Sequence, residues 1–415
     1  MKVLLLNQCF YPDVVSTAQH LTDLAVELAG QGHAVTVIAS RRGYDNAAVR
    51  FKSRETWKGI DIIRIPSLGL GKDRRWRRAV NFGSFMAFCA LRLLFTGRFD
   101  TVVALTSPPL ISFLAAAFSE LRGGRLLLWT MDLNPDEAIA AGWLREGSLV
   151  ARVLSAFLRF SFRRAGAIVV LDRFMERRLL RAGVPQDKLF VVPPWSHDEA
   201  ARYDHAGRLA FREALGLTHK FVVMYSGNHS PCHPLDTLLA AASRLGDHPE
   251  FHFCFVGGGA EFNKVIAFSE DRGLRNITCL PYQPLNKLAA SLSAADLHVV
   301  VMGEPFVGIV HPCKIYNILS VGAPFLYIGP RESHITDIAA ELDGAAHVAD
   351  PGHVEAVVKV ILKSRRCRDR LANSQIARRY SRAVLLPKIV GMIEGKPHHA
   401  PARAATAPQI QPTGE

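Results

Sequence analysis

The sequence predicts an α/β protein built from two Rossmann-like domains, each a parallel sheet with helices on both faces. Three observations predict it. Short, continuous apolar runs alternate with helix-length segments, the pattern of strands buried on both sides. The alternation breaks between Pro193 and Asp204 and starts afresh at Phe221. Polar and glycine residues collect just after the apolar runs, where open parallel sheets present their ligand loops. The 415 residues, 49% of them hydrophobic, suffice for two cores.

In the first half, KVLLLN reads as a strand, and Ser16 to Ala29 as a helix ended by Gly30 and Gly32. AVTVIAS, GIDIIRIP, DTVVALTS, RLLLWTMD and AGAIVVLD are further strands, and VVPPW at 191–195 ends a seventh. Helices are predicted over the basic apolar stretch after GIDIIRIP, over Leu110 to Leu121 and over Leu149 to Arg164. In the second half FVVMYSG, FHFCFVG, ITCLPY, DLHVVVM, APFLYIG and AAHVAD are strands. Helices follow at about 354–363, 364–380 and 383–394. The expected division is a first domain over 1–194, a second over 195–380, a helix over 381–395 returning to the first domain, and a tail over 396–415 with the composition of disorder.

Charge and cysteine content narrow the setting. The net charge is +13. Within Lys72 to Arg98 stand seven basic residues and one acid, around an apolar stretch from Ala79 to Phe95 that is short for a membrane span and carries Arg92. Leu149 to Arg164 repeats the combination. Such helices suit the surface of an anionic bilayer; the alternative is two amphipathic core helices with solvated charges. No nucleic-acid motif accompanies them, so nucleic acid is not an expected partner. Seven scattered cysteines without a CxxC pair argue against a disulfide framework or a zinc site and for a reducing cytoplasm. MKVLLLNQCFYPD is too short and too soon polar for a signal peptide. The expected location is the inner face of the cytoplasmic membrane.

The strand-end rule selects candidate site loops. VMGEPFVGIVHPCKIYNILSVGAP, 301–324, joins a strand to a helix. Gly308 would let a ligand approach the backbone, and His311 and Lys314 stand where a helix N-terminus favours an anion; an ordinary turn with a solvated Lys is the alternative. In SGNHSPCHPLD, 226–236, Gly227 and Asn228 offer donors. His229 and His233 have a metal-binding spacing, but Pro231 and Pro234 make the segment a loop, which favours ligand donors over a metal. GGGAE at 257–261 lacks the GxGxxG spacing. WTMDLNPDE places Asp132, Asp136 and Glu137 at a strand end: one acts as a base or orients a sugar hydroxyl, or Asn134 or Asp136 caps a helix. The sequence contains neither GxSxG nor a Walker A motif, which leaves a hydrolase triad and a P-loop unsupported.

In order and spacing, KVLLLNQCFYPD, VVALTSPPLISFLAAAF, WTMDLNPDEAIAAGWL, MYSGNHS…HPLDTLLAA, FHFCFVGGGAE, ITCLPYQPLNKLAASLSAADLHVVV and PCKIYNILSVGAP resemble the GT-B glycosyltransferases of family 4, in particular the cell-envelope polysaccharide branch, over about 1–395. The resemblance implies two Rossmann-like domains facing across a cleft. It implies retaining transfer from a nucleotide-sugar to a lipid-linked or polysaccharide acceptor, with no metal or other cofactor. Gly227, Asn228, His229 and His233 would contact the donor phosphates, and Tyr282 and Gln283 the base. Gly308, Ile309, Val310, His311 and Lys314 would lie against the diphosphate and sugar, with Asn317 near the ribose. Asp132, facing the cleft, is the candidate catalytic group.

Two departures bear on activity. The family's pair of glutamates, eight residues apart, falls at Ile309 and Asn317. The usual Arg and Lys of the first donor loop fall near Asn228 and His233. A divergent transferase, another nucleotide-sugar enzyme such as an epimerase, and a non-catalytic binder are therefore the three readings that the sequence leaves.

Overall fold

The computed structural model describes residues 1–44, 48–71, 75–196, 200–342, 344–366 and 375–396. Residues 72–74 of the basic stretch, 367–374 of the charged helix, Cys367 and the tail after Lys396 lie outside these.

The first sheet has eight strands: β1 (Lys2–Leu6), β2 (Ala34–Ser40), β3 (Arg54–Trp57), β4 (Ile60–Ile65), β5 (Thr101–Ala104), β6 (Arg125–Trp129), β7 (Ala167–Val170) and β8 (Leu189–Val191). Their order is β3-β4-β2-β1-β5-β6-β7-β8. All pairs are parallel except β3 with β4. The sequence reading missed β3. RETW is a polar edge strand whose residues are alternately exposed and half-buried, so it lacks the apolar signature of the central strands. Its Glu55 is tied to the buried Arg64 of β4.

The second sheet has six strands, all parallel: β9 (Phe221–Asn228), β10 (Phe251–Gly258), β11 (Ile277–Leu280), β12 (Leu297–Val301), β13 (Phe325–Ile328) and β14 (Ala346–Ala349). Their order is β11-β10-β9-β12-β13-β14. Each sheet therefore reverses its direction of growth once, between β1 and β5 in the first and between β9 and β12 in the second. Open parallel sheets bind ligands outside the carboxyl ends of strands at such reversals. The two domains face each other across a cleft at these ends.

The helix Arg382–Glu394 packs on the first domain, with Leu385, Ile389 and Ile393 in that core. The carbonyl of Ile393 accepts from Thr101 Oγ1 at 3.2 Å and that of Met392 from Arg125 at 3.2 Å. Trp195 ties the crossover down, its indole donating to Asp23 at 2.8 Å and its carbonyl lying 3.1 Å from His20 Nε2.

The basic apolar helices do two things at once. Arg75–Leu94 buries Phe85, Cys89 and Leu93 against the sheet and leaves Trp76, Phe88, Leu91 and Leu94 exposed. Leu149–Arg164 buries Phe162 and exposes Leu149 and Val150. The helix Ile111–Arg122 lies between them, joined by the Arg122–Leu94 hydrogen bond and the Phe113–Phe157 stack. Core packing and an outward apolar, arginine-rich face thus coexist. Among the described residues no helix is long and apolar enough to cross a membrane. None of the six described cysteines is in a disulfide.

Candidate active site

The loops after β9 and β12 meet at the reversal of the second sheet. Gly227 takes φ +133°, and a Cβ there would lie 3.1 Å from Lys314 Cε, so glycine is what lets this lysine in. Lys314 opens the seven-residue helix Lys314–Ser320. Its ammonium group sits 3.5 Å from the Tyr225 ring centroid and, buried, has no hydrogen-bond partner among the described residues. Desolvation holds its pKa well below the usual lysine value.

His229 and His233 back this lysine. His229 Nδ1 donates to Gly227 O at 2.9 Å, which leaves Nε2 as a buried acceptor without a partner. Its ring lies edge-on to Tyr225 and Phe262. Burial, then the Lys314 charge, pushes His229 down to about 4 and His233 down to about 3, so both are neutral at neutral pH. His233 Nδ1 is likewise buried and unpartnered. These neutral rings border the buried lysine. The GGGAE run serves the same loop: Gly257 and Gly258 pair in register with Gly227 and Asn228.

Asn228 is exposed beside the pocket. Tyr282 is half exposed at the end of β11, its hydroxyl donating to Gly258 O at 3.2 Å. Gln283, half-buried, donates to Pro281 O. Asn317 lies one turn along the helix from Lys314 and is half-buried.

The first domain faces this pocket with carboxyl groups. Asp132, after β6, is pushed up to about 8 by burial and by the neighbouring Glu137. Burial raises Glu137 too, and Asn134 Nδ2 donates to it at 3.0 Å. Its other oxygen lies 3.9 Å from the Cys232 thiol of the second domain. Ser16, at the start of the helix Ser16–Gly30, lies beside Cys313, the residue before Lys314. The cleft thus has a carboxyl pair on one wall and a lysine on the other. Neither Asn134 nor Asp136 caps the helix Asp136–Ala140; Asp136 pairs with Arg178 at 2.9 Å. A small cavity of about 20 Å³ runs from Asp132 past Thr106, Ser112 and Trp129 to Leu158 and Phe162.

Four donor-loop residues, Gly308 to His311, are taken up by contacts within the protein. Gly308 takes φ +68°, and what approaches it is protein: a Cβ would lie 2.7 Å from the Phe174 carbonyl of the first domain. Ile309 is buried in the first domain's core, and its carbonyl accepts from Leu133 N–H at 3.0 Å. His311 is buried with both nitrogens engaged, Nδ1 at 2.7 Å from Asp172 Oδ2 and Nε2 at 2.7 Å from the Tyr316 hydroxyl. Val310 packs against the cores of both domains. This half of the loop is therefore an interdomain contact. Asp172 and His334 complete it; the strand-end rule had selected the loop Gly329 to His334, but Asp172 was missed by the sequence reading. Extending the strand-end rule to β7 would have included Asp172. The ligand-type atoms of Asp172, His311 and His334 lie within 4.8 Å of one another. Both Asp172 oxygens and both His311 nitrogens already carry hydrogen bonds, so we read the group as a contact and not as a metal centre.

Comparison with known proteins agrees with this architecture. Residues 17–195 match the family model described as a glycosyl transferase 4-like domain, and residues 208–364 match the one described as glycosyl transferases group 1. The chain is a glycosyltransferase of the GT-B fold. This glycosyltransferase is 26% identical over 373 residues to WcaI of Escherichia coli (strain K12), named for glycosyl transfer in colanic acid biosynthesis, covering 86% of this chain and 90% of that one. Its fold is similar to that of sucrose-phosphate synthase from Thermosynechococcus elongatus, with TM-score 0.74, 15% identity and coverage of 95% and 98% of the two chains. HepE from Anabaena, solved with UDP and glucose, gives TM-score 0.71 at 15% identity, covering 95% of this chain and 100% of that one.

Proposed function

We propose that this glycosyltransferase moves a sugar, with retention, from a nucleotide-diphosphate donor bound by the second domain to a lipid-linked or polysaccharide acceptor held by the first. The buried, unpartnered Lys314 ammonium at the reversal of the second sheet carries the reading. A fixed cation suits the charge that develops on a departing diphosphate. In this reading Gly227, Asn228, His229, His233 and Lys314 surround the phosphates, Tyr282 and Gln283 flank the base, and Asn317 meets the ribose. Asp132, paired with Glu137, positions the acceptor hydroxyl. UDP bound to HepE supports a uridine donor, and the WcaI relationship supports a cell-envelope polysaccharide product. The outward face of Arg75–Leu94, Ile111–Arg122 and Leu149–Arg164 supports docking on an anionic membrane from the cytoplasmic side. Titrating UDP-, GDP- and ADP-sugars against the protein by calorimetry tests the donor site. Binding of one class is expected, and binding of none refutes the assignment.

One observation favours a second reading, a member that binds donor without transferring sugar. Ile309 and Asn317 replace the two glutamates of the family pattern, and the Ile309 side chain is committed to the other domain's core. Nucleotide release with membrane extract as acceptor separates the two, since a binder releases none.

A further inference from the structure

Asp172 stands at the end of β7 and caps the helix Arg173–Arg181, its Oδ1 accepting from the amides of Phe174 at 2.9 Å and Met175 at 2.8 Å. Its other oxygen leaves the first domain and meets His311 at 2.7 Å, with His334 Nδ1 at 3.5 Å. The side chains of Asp172, His311 and His334 are 5%, 1% and 8% exposed, and the two imidazoles stack at 3.7 Å. His311 passes the contact on to Tyr316, two residues after Lys314 on the same helix. Gly308 admits the Phe174 backbone alongside, and Arg173 pairs bidentately with Asp337 at the exposed rim.

We infer that Asp172, His311 and Tyr316 form an interdomain clasp that positions Lys314 when the cleft closes. The inference rests on the donor-site reading of Lys314. A buried hydrogen bond to a carboxylate adds little net stability, because both groups give up their hydration, but it is costly to break from one side only. Such a pair selects one closed geometry without making closure irreversible: on opening, both groups return to water together. The same geometry seats the first domain's helix end on the loop 308–311, so closure and the placement of the Lys314 helix are one event. Asp172, His311 and Tyr316 are positioning residues, acting through Lys314.

The clasp and the helix cap can be separated. Serine caps helices well but is too short to reach His311. In Asp172→Ser the helix content is expected to stay close to that of the native protein. Small-angle scattering should show a more expanded particle, and UDP affinity should fall roughly ten- to hundredfold, the worth of a hydrogen bond to a charged group. Asp172→Asn, which still reaches His311, should recover part of both. Lys314→Met should lose UDP affinity without expanding. The clasp is overturned if Asp172→Ser scatters like the native protein and binds UDP equally well, or if it only melts early, as a lost cap would. If the native protein binds no UDP, the donor reading fails, while the scattering comparison still decides the clasp.

Discussion

Lys314→Met should strengthen the unliganded protein and weaken it as a donor-binding protein. Methionine keeps the length and packing of the lysine stem and removes the ammonium. That group is buried without a hydrogen-bond partner among the described residues, a situation that costs about 1–3 kcal/mol. The contact with the Tyr225 ring offsets roughly 0.5–1 kcal/mol of this. The net gain on substitution is about 1 kcal/mol, or roughly 2–4 °C in Tm for a domain of this size. Truncating one partner of a desolvated charge pair costs at least about 2 kcal/mol, so UDP binding should weaken by at least about thirtyfold. The sign of the pH dependence follows from the same burial. Lys314 is depressed in the free site and would be raised by a diphosphate, so the complex holds more protons and affinity should fall as pH rises. Calorimetry in two buffers of different ionisation enthalpy would show proton uptake. Equal UDP affinity in the variant, or a lower Tm without ligand, would refute the reasoning.

Gly308→Ala forces a side chain into left-handed backbone, at about 1–2 kcal/mol, and against the Phe174 carbonyl; a fall in Tm and in UDP affinity is expected, and an unchanged protein would mean that the contact is loose. Because Asp132 is protonated up to about 8 in the fold but only to its ordinary 3.8 when unfolded, its contribution to stability is lost as pH rises between those values. Asp132→Asn should flatten that slope in a Tm-against-pH series and lower turnover; a parallel slope counts against the buried acid. Reversing Arg152, Arg159 and Arg163 to Glu on the outer face of Leu149–Arg164 should cut sedimentation with phosphatidylserine vesicles by about a hundredfold or more, at about 1 kcal/mol per charge. Undiminished sedimentation would remove the membrane proposal. Ile309→Glu, which restores one family glutamate, should destabilise by several kcal/mol by burying an unpaired carboxylate, and should not raise turnover; a stable, more active variant would reverse that view of the loop.

The sheets were legible because every central strand is buried on both faces and therefore reads as a continuous apolar run. The edge strand β3 was not, since RETW alternates with solvent and is held by Arg64. The loop positions were legible for a topological reason: order reversals at β1/β5 and β9/β12 put the loops after β9 and β12 together, and those loops carry Gly227, His229 and Lys314. What could not be read was the division of labour inside 308–314. His311 meets a partner 139 residues away in the chain, and Gly308 meets the backbone of the same helix end. Local sequence shows that a glycine must sit close to something and that a histidine needs a partner. It does not show whether that something is a phosphate or another domain.

The same division bears on the absent glutamates. A carboxylate at 309 would have to leave the aliphatic core around β6 and β7, and the Ile309–Leu133 hydrogen bond fixes the backbone that would carry it. Position 309 anchors the two domains one residue away from Asp132. Any turnover then has to draw its electrostatics from other groups. The cleft offers two sources: the Lys314 cation backed by neutral His229 and His233, and the Asp132–Glu137 pair, in which burial and mutual repulsion favour retaining a proton. In the proposed reading, a cation facing the leaving diphosphate and a part-protonated carboxyl pair facing the acceptor are complementary in sign to the two charges that glycosyl transfer has to manage. The substitutions at 309 and 317 therefore move the question of activity onto Lys314 and Asp132.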